Sequence, residues 1–145
     1  MHIEGSIEIE ASPAVLWPLL TEGEQIMQWT PEIVSEDSPP GPPRVGSISR
    51  VGIKEGSRVV EYTSGVVALE PQAYLEIELK GGGLGAGPMR VGYRLSPANG
   101  RTTLNYSSDW QAHGLMLKLM LPSIIFMSRR KSRGSLQRLK GLAES

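Results

Sequence analysis

The chain has 145 residues, no Cys, two His, and 15 basic residues balanced by 15 acidic ones. This length suits one domain with a single core, so we expect one domain spanning residues 1–145. The absence of Cys excludes a disulfide framework and a thiolate metal site, and two His make a His-based metal site unexpected. Zero net charge argues against a nucleic-acid binder that works by electrostatics alone.

The first predicted element is a strand over residues 3–10, where Ile alternates with Glu. This period of two indicates an antiparallel strand with one buried face. These N-terminal residues also lack the apolar segment of a signal peptide. The longest apolar stretch, residues 115–127, is interrupted by Lys and Pro and is too short to cross a bilayer. We therefore expect a cytoplasmic protein.

Two short helices are predicted next. Ser12 is a suitable N-cap and Pro13 suits the first helical position, which predicts a helix from residue 13 to about residue 20. Pro18 is expected to end or kink it. A second helix is predicted over residues 22–28, and the Pro-rich residues 35–43 are predicted to form a loop.

The middle of the chain reads as strands. They are predicted at residues 45–53, 58–70, 74–80, 89–96 and 102–111. The Asn99-Gly100 pair between two alternating runs indicates a tight hairpin. In each predicted strand the polar side chains mark the outer face, so the side chains that alternate with them are predicted to face inward. Arg50 could face either way. The predicted inward set is Tyr62, Ser64, Val66, Leu75, Ile77, Leu79, Val91, Tyr93, Leu95, Leu104, Tyr106, Ser108 and Trp110.

Residues 115–143 are predicted to form one long C-terminal helix with an apolar side. The apolar face of the sheet needs a cover, and this helix is the one long element able to supply it. The expected fold class is therefore α+β, with about six antiparallel strands, two short helices after the first strand and a long C-terminal helix.

This order of elements resembles the START-like (SRPBCC) superfamily, and its polyketide cyclase/dehydrase-type branch in particular. The resemblance covers residues 2–143 and rests on several short motifs taken together. They are Ala11-Ser12-Pro13, Trp17, Trp29-x-Pro31, Gly46, Gly100-Arg101-Thr102-Thr103-Leu104 and the basic run before Leu136-x-x-Leu139-Lys140. The resemblance implies a helix-grip fold, in which a curved sheet wraps around the long helix.

The resemblance also implies a deep apolar cavity between sheet and helix, because family members bind lipids, sterols, quinones or polyketides there. A pocket that orients such a ligand combines apolar walls with a few polar groups. The candidate ligand-binding residues are Trp29, Tyr62, Ser64, Ile77, Leu79, Val91, Tyr93, Tyr106, Ser108, Trp110, Leu117, Met120, Leu121 and Ile124. The family has no shared catalytic motif, so no catalytic residue is assigned.

Two other motifs have simpler interpretations. Residues 81–87 contain a GxGxxA match to the dinucleotide fingerprint, but Pro88 and a strand follow where a helix is required. We therefore expect no cofactor and interpret this segment as a loop at the cavity mouth. His113 would need a partner to act as an acid or base, and a surface role suits it better.

The charges are strongly segregated. Residues 1–109 hold 8 basic and 14 acidic residues, whereas residues 110–145 hold 7 basic and 1 acidic residue. The basic helix could lie against the acidic sheet, touch RNA or a protein, or dock transiently on an anionic membrane. The residues expected to make such membrane contact are Arg129, Arg130, Lys131 and Arg133.

Three functions are consistent with these features. The first is binding or transport of a small hydrophobic molecule such as a lipid, a quinone or a polyketide-like compound. The second is a cyclase, aromatase or dehydratase that uses the same cavity, so enzymatic activity stays open. The third is an accessory protein that docks through its basic C-terminal helix. The carrier is preferred, because no acid–base pair can be assigned from the sequence.

Overall fold

The computed structural model describes residues 2–81, 88–109 and 121–144. The elements in chain order are β1 (His2–Ile9), α1 (Pro13–Thr21), α2 (Gly23–Trp29), β2 (Ile33–Asp37), β3 (Ile48–Glu55), β4 (Arg58–Glu70), β5 (Tyr74–Gly81), β6 (Met89–Ala98), β7 (Arg101–Asp109) and α3 (Leu121–Glu144). The predicted α+β class is confirmed: a curved antiparallel sheet is combined with two short helices and a C-terminal helix.

The sheet has seven strands rather than the predicted six, in the order β1-β7-β6-β5-β4-β3-β2. The additional strand, β2, takes up part of the chain that was predicted to be a loop. Ile33–Asp37 pairs with β3 although its last residues are polar. An edge strand tolerates such a sequence, because only one of its sides is hydrogen-bonded to a neighbour and much of it faces water.

Two register shifts accompany the curvature of the sheet. One lies between Ile33 and Ser35 in β2, and the other between Val66 and Ala68 in β4. An extra residue in one strand bends that strand and increases its twist. The long strand β4 can therefore follow a curved surface and present its inner residues toward the helices.

The first helix begins as predicted but extends further. The Ser12 hydroxyl accepts a hydrogen bond from the Val15 amide, and Pro13 opens the helix. Pro18 does not end α1, which continues to Thr21. Proline removes a single backbone hydrogen bond there, and burial of Leu16 and Leu20 on both sides of it holds the helix in place.

One continuous core joins the helices to one end of the sheet. Its members come from β1, α1, α2, β6, β7 and α3, and they are Ile9, Ala11, Leu16, Leu20, Trp29, Leu95, Leu104, Leu136, Leu139 and Ala143. Polar contacts fasten α3 to β1: the Lys140 ammonium donates to the Glu8 carbonyl at 2.8 Å, and the Glu144 carboxylate accepts from the Glu10 amide at 2.8 Å. This backbone hydrogen bond, together with Lys140, lowers the pKa of Glu144.

The side-chain alternation places one row of each strand on the concave face. Ser49 and Ser64 lie opposite each other there, as do Val51 and Tyr62. Arg50, whose direction the sequence left open, lies on the outer face and is exposed. The concave face therefore carries small and apolar side chains next to the core.

Candidate functional site

A cavity of about 300 Å³ lies against the concave face of the sheet. Its walls come from five consecutive strands, β3 to β7, together with α2 and the segment that joins α2 to β3. The sheet contributes mostly aliphatic side chains at alternate positions of its strands. These are Val51, Ile53, Val66, Leu75, Ile77, Leu79 and Val91. Period-two alternation is the reason that separate strands supply one continuous apolar wall.

Three aromatic rings form the part of the cavity that adjoins the core. Tyr93 stands at nearly a right angle to Trp29, with ring centroids 6.1 Å apart, and lies 5.6 Å from the Tyr106 ring. The Trp29 indole donates its hydrogen bond to the Leu19 carbonyl at 2.7 Å, which fixes the ring between α1 and the sheet. Edge-to-face packing of this kind stabilises the fold by more than the burial of the apolar surface of the rings alone.

Hydroxyl groups supply the polar part of these walls. Thr30 follows α2, and its side-chain oxygen is buried with no hydrogen-bond partner in the part of the chain that the structure describes. Tyr93, Tyr106 and Ser64 add further hydroxyls among the lining residues. A buried hydroxyl without a partner costs free energy, so Thr30 lowers the stability of the wall to which it belongs.

The phenol of Tyr93 stays protonated under physiological conditions. Burial raises its pKa well above the ordinary value for tyrosine, and the neighbouring Tyr106 phenol raises it further. Desolvation disfavours the charged phenolate, so this side chain is suited to donate a hydrogen bond and unsuited to act as a base. It could therefore orient or polarise a carbonyl group of a ligand.

The rim of the cavity is polar and rich in proline. Residues 39–43 contribute Pro39, Pro40, Pro42 and Pro43, most of them exposed, and Arg44 follows. Glu32 and Glu36 are half-buried at the same rim. Proline fixes its own φ, so this stretch of the rim has fewer accessible conformations than an ordinary loop of the same length.

Seven of the candidate ligand-binding residues lie together around this cavity. They are Trp29, Ser64, Ile77, Leu79, Val91, Tyr93 and Tyr106. Tyr62 and Ser108 are on the concave face but are not among the lining residues. Trp110, Leu117 and Met120 lie outside the described residues, as do His113 and residues 82–87 of the glycine-rich loop. Leu121 and Ile124 lie in α3, but their side chains are outside the described part.

Apart from Trp29, the sequence interpretation missed the wall that residues 20–44 supply. Ile26, Thr30 and the prolines at 39–43 line the cavity, although Ile26 was assigned only to a short helix and the prolines only to a stiff loop. No local periodicity indicates that a loop folds back over a sheet. The one available signal was the density of proline, which predicts a stiff segment without predicting its direction.

No helix within the described residues is both long enough and apolar enough to cross a membrane.

Comparisons with known proteins agree with this architecture. Zhui aromatase/cyclase from Streptomyces sp. R1128 has a TM-score of 0.79, with 17% identity over 99% of this chain and 93% of its own. TTHA0849 from Thermus thermophilus has a TM-score of 0.80, with 11% identity over 99% and 97% of the two chains. Ara h 8.0201 has a TM-score of 0.76, with 16% identity over 99% and 97%. These similarities establish the helix-grip fold.

A search among curated proteins finds no match. A family model described as polyketide cyclase / dehydrase and lipid transport matches residues 1–144, nearly the whole chain. The resemblance drawn from the short sequence motifs is therefore confirmed: the chain belongs to the polyketide cyclase/dehydrase and lipid transport family.

Proposed function

We propose that the protein binds a small, mainly apolar molecule in the cavity next to Trp29, Tyr93 and Tyr106. The observation that carries this proposal is a cavity of about 300 Å³ with aliphatic and aromatic walls, whose lining residues include the hydroxyl-bearing Ser64, Tyr93 and Tyr106. Apolar walls supply affinity through burial of area, and a few polar groups fix the orientation of the ligand.

The dimensions and chemistry of the cavity narrow the class of ligand. Its volume is at the lower end of the range of about 300–1,000 Å³ that ligand pockets occupy. This favours a compact ring system over a long-chain lipid. The hydroxyls of the lining residues Ser64 and Tyr93 can donate hydrogen bonds, so the ligand would carry a carbonyl or ether oxygen. A quinone or a cyclised polyketide-like compound has both properties.

A second candidate is catalysis of cyclisation or dehydration in the same cavity. The family description and the aromatase/cyclase activity named for the Streptomyces relative favour it. Tyr93 could polarise a carbonyl, but its raised pKa keeps the phenol protonated, so the phenolate that would act as a base is not populated. Among the described lining residues, the carboxylates are Glu32 and Glu36 at the rim. Binding is therefore the better-supported function.

The first experiment tests whether this cavity takes up an apolar molecule. Nile red, an uncharged dye with a carbonyl group, would be titrated into the protein, and its fluorescence would report binding. Ser64→Phe places a ring into the cavity, and we expect it to lower the affinity by about tenfold or more. Thr63→Phe is the matched control, because Thr63 is the neighbouring, exposed residue of β4.

Circular dichroism and thermal unfolding would verify that both variants fold. Equal affinity of Ser64→Phe and the unsubstituted protein would contradict the proposal. Native mass spectrometry and organic extraction of the purified protein would then identify the chemical class of any bound molecule. Conversion of an added polyketide-like substrate, lost in Tyr93→Phe while dye binding is retained, would favour the enzyme over the carrier.

A further inference from the structure

The outer side of α3 carries a group of exposed basic side chains. We call it the basic face, and it consists of Arg129, Arg130, Lys131, Arg133 and Arg138, all of which are exposed. The opposite side of the helix holds Ser135, Leu136, Leu139 and Ala143, which are buried. No acidic residue occurs between positions 121 and 143. The basic face is therefore a concentrated positive surface that points away from the core.

The sheet does not neutralise this charge. An acidic sheet below a basic helix would explain the segregation of charge if the two formed ion pairs. Of the basic residues of α3, Lys140 alone makes an ion pair within the described residues, with Glu144 at 3.3 Å. In β1, Glu4 instead pairs with His2 and Glu8 with Arg101, and Arg101 also lies 3.0 Å from Glu10, which follows the strand. Ion pairs within the described part of the chain therefore do not account for the basic face.

A large apolar side chain accompanies the basic face. Phe126 is 68% exposed, the highest exposure among the large hydrophobic residues of the described chain. Phe126, Arg130, Arg133 and Gln137 follow one another at intervals of four, three and four residues, so they form one row along the helix. An exposed aromatic ring in line with cations fits a partner that offers negative charge and an apolar interior together.

We propose that the basic face, with Phe126, docks on the surface of an anionic phospholipid bilayer. Basic residues near such a surface are attracted by its negative potential, and an aromatic ring inserts at the boundary between headgroups and acyl chains. A duplex nucleic acid would satisfy the cations but keeps its bases stacked on one another, so it would leave the Phe126 ring in water. A single strand could stack a base on the ring, and the experiment below distinguishes it from the bilayer.

The helix that carries the basic face is connected to the cavity through α2. α3 packs against α2, and α2 contributes Ile26 and Trp29 to the cavity wall. Docking through the outer side of α3 would bring that wall close to the membrane. The docking proposal does not depend on the binding proposal, because it rests on charge and exposure alone.

Vesicle sedimentation tests the proposal on the full chain. Vesicles of phosphatidylcholine with phosphatidylserine would be compared with vesicles of phosphatidylcholine alone, at low and high salt. We expect binding only to the anionic vesicles, weakened by salt because exposed charges are screened. The double variant Arg130→Gln with Arg133→Gln should bind about 30-fold more weakly, since each basic residue near the surface contributes.

The matched control removes two exposed basic residues of the sheet, one in β3 and one in β4. Arg50→Gln with Arg58→Gln changes the net charge by the same amount but leaves the basic face intact. We expect it to retain vesicle binding. Phe126→Trp should show a blue shift of tryptophan fluorescence on anionic vesicles that the unsubstituted protein, with its three Trp residues, does not show, which reports insertion of the ring. All these positions are exposed, and circular dichroism would verify folding.

Three results would overturn the proposal. The first is equal binding to vesicles with and without phosphatidylserine. The second is an equal loss of binding in the control variant, which would indicate a dependence on net charge alone. The third is tighter binding to a single-stranded RNA homopolymer than to anionic vesicles, which would assign the basic face to a nucleic acid.

Discussion

Thr30 places a buried hydroxyl in the cavity wall without a partner among the described residues, next to Trp29. Its backbone is fully used, because the Thr30 amide donates to the Ile26 carbonyl and the Thr30 carbonyl accepts from Ile33. These backbone hydrogen bonds therefore hold Thr30 in position while its side-chain hydroxyl has no partner among the described residues. Thr21 lines the same cavity, but its hydroxyl donates to the Trp17 carbonyl at 2.9 Å.

This difference predicts opposite effects of the same substitution. Without added ligand, Thr30→Val should raise the free energy of unfolding by up to about 1 kcal/mol, because it removes an unsatisfied polar group. Thr21→Val should lower it by about 1 kcal/mol, because a hydrogen bond is lost. Urea denaturation measures both values. Equal destabilisation by the two variants would show that the Thr30 hydroxyl is satisfied in solution.

At the scale of the elements, the β6–β7 hairpin is the clearest case of local sequence dictating structure. Asn99 and Gly100 both adopt positive φ, 54° and 78°, and they connect Ala98 to its partner Arg101. Two consecutive residues with positive φ match the right-handed twist of the paired strands. This turn joins the two strands that supply Tyr93 and Tyr106, so its geometry sets the register of the aromatic part of the cavity.

Substitution of Gly100 by Ala should lower the free energy of unfolding by about 1 kcal/mol. A Cβ there meets nothing within 4 Å, so the cost comes from backbone conformation rather than from a clash. Gly5→Ala in β1 is the control, since its Cβ is equally free and its φ is not positive. It should be neutral or slightly stabilising in the same denaturation experiment. Identical losses in the two variants would contradict this explanation.

The elements differ in how well their sequences predict them. β5 and β6 alternate regularly between apolar and charged residues, and their inward side chains, such as Ile77 and Val91, follow from that pattern. β2 ends in Ser-Glu-Asp beside a proline run, so its pairing with β3 follows from tertiary packing rather than from local preference. The sequence did not indicate that Thr30 lines the cavity for the same reason, because the path of the segment after α2 depends on contacts with residues that are distant in the sequence.

At the scale of the whole molecule, the core and the cavity share residues. Trp29 belongs to the core cluster and also lines the cavity, and Tyr93 packs against both. α3 enters this arrangement through Leu136 and Leu139, while its opposite side remains exposed. One side of this helix therefore packs in the core that also contains Trp29, and the other side is exposed.

Leu139→Ala and Phe126→Ala should reveal this separation. Leu139 is fully buried, so its truncation should lower the free energy of unfolding by about 2–5 kcal/mol. Phe126 is exposed, so its truncation should change stability by less than about 0.5 kcal/mol. Denaturation followed by far-ultraviolet circular dichroism and by Nile red fluorescence measures the fold and the cavity in parallel.

Because Trp29 links the core to the cavity, the two probes should report one cooperative transition for Leu139→Ala, shifted to a lower denaturant concentration. Loss of dye fluorescence well before the loss of circular dichroism would mean that the cavity wall opens independently of the core. In that case α2 and the proline-rich rim would form a separate unit of lower stability, and access of a ligand to the cavity would be governed by that local opening.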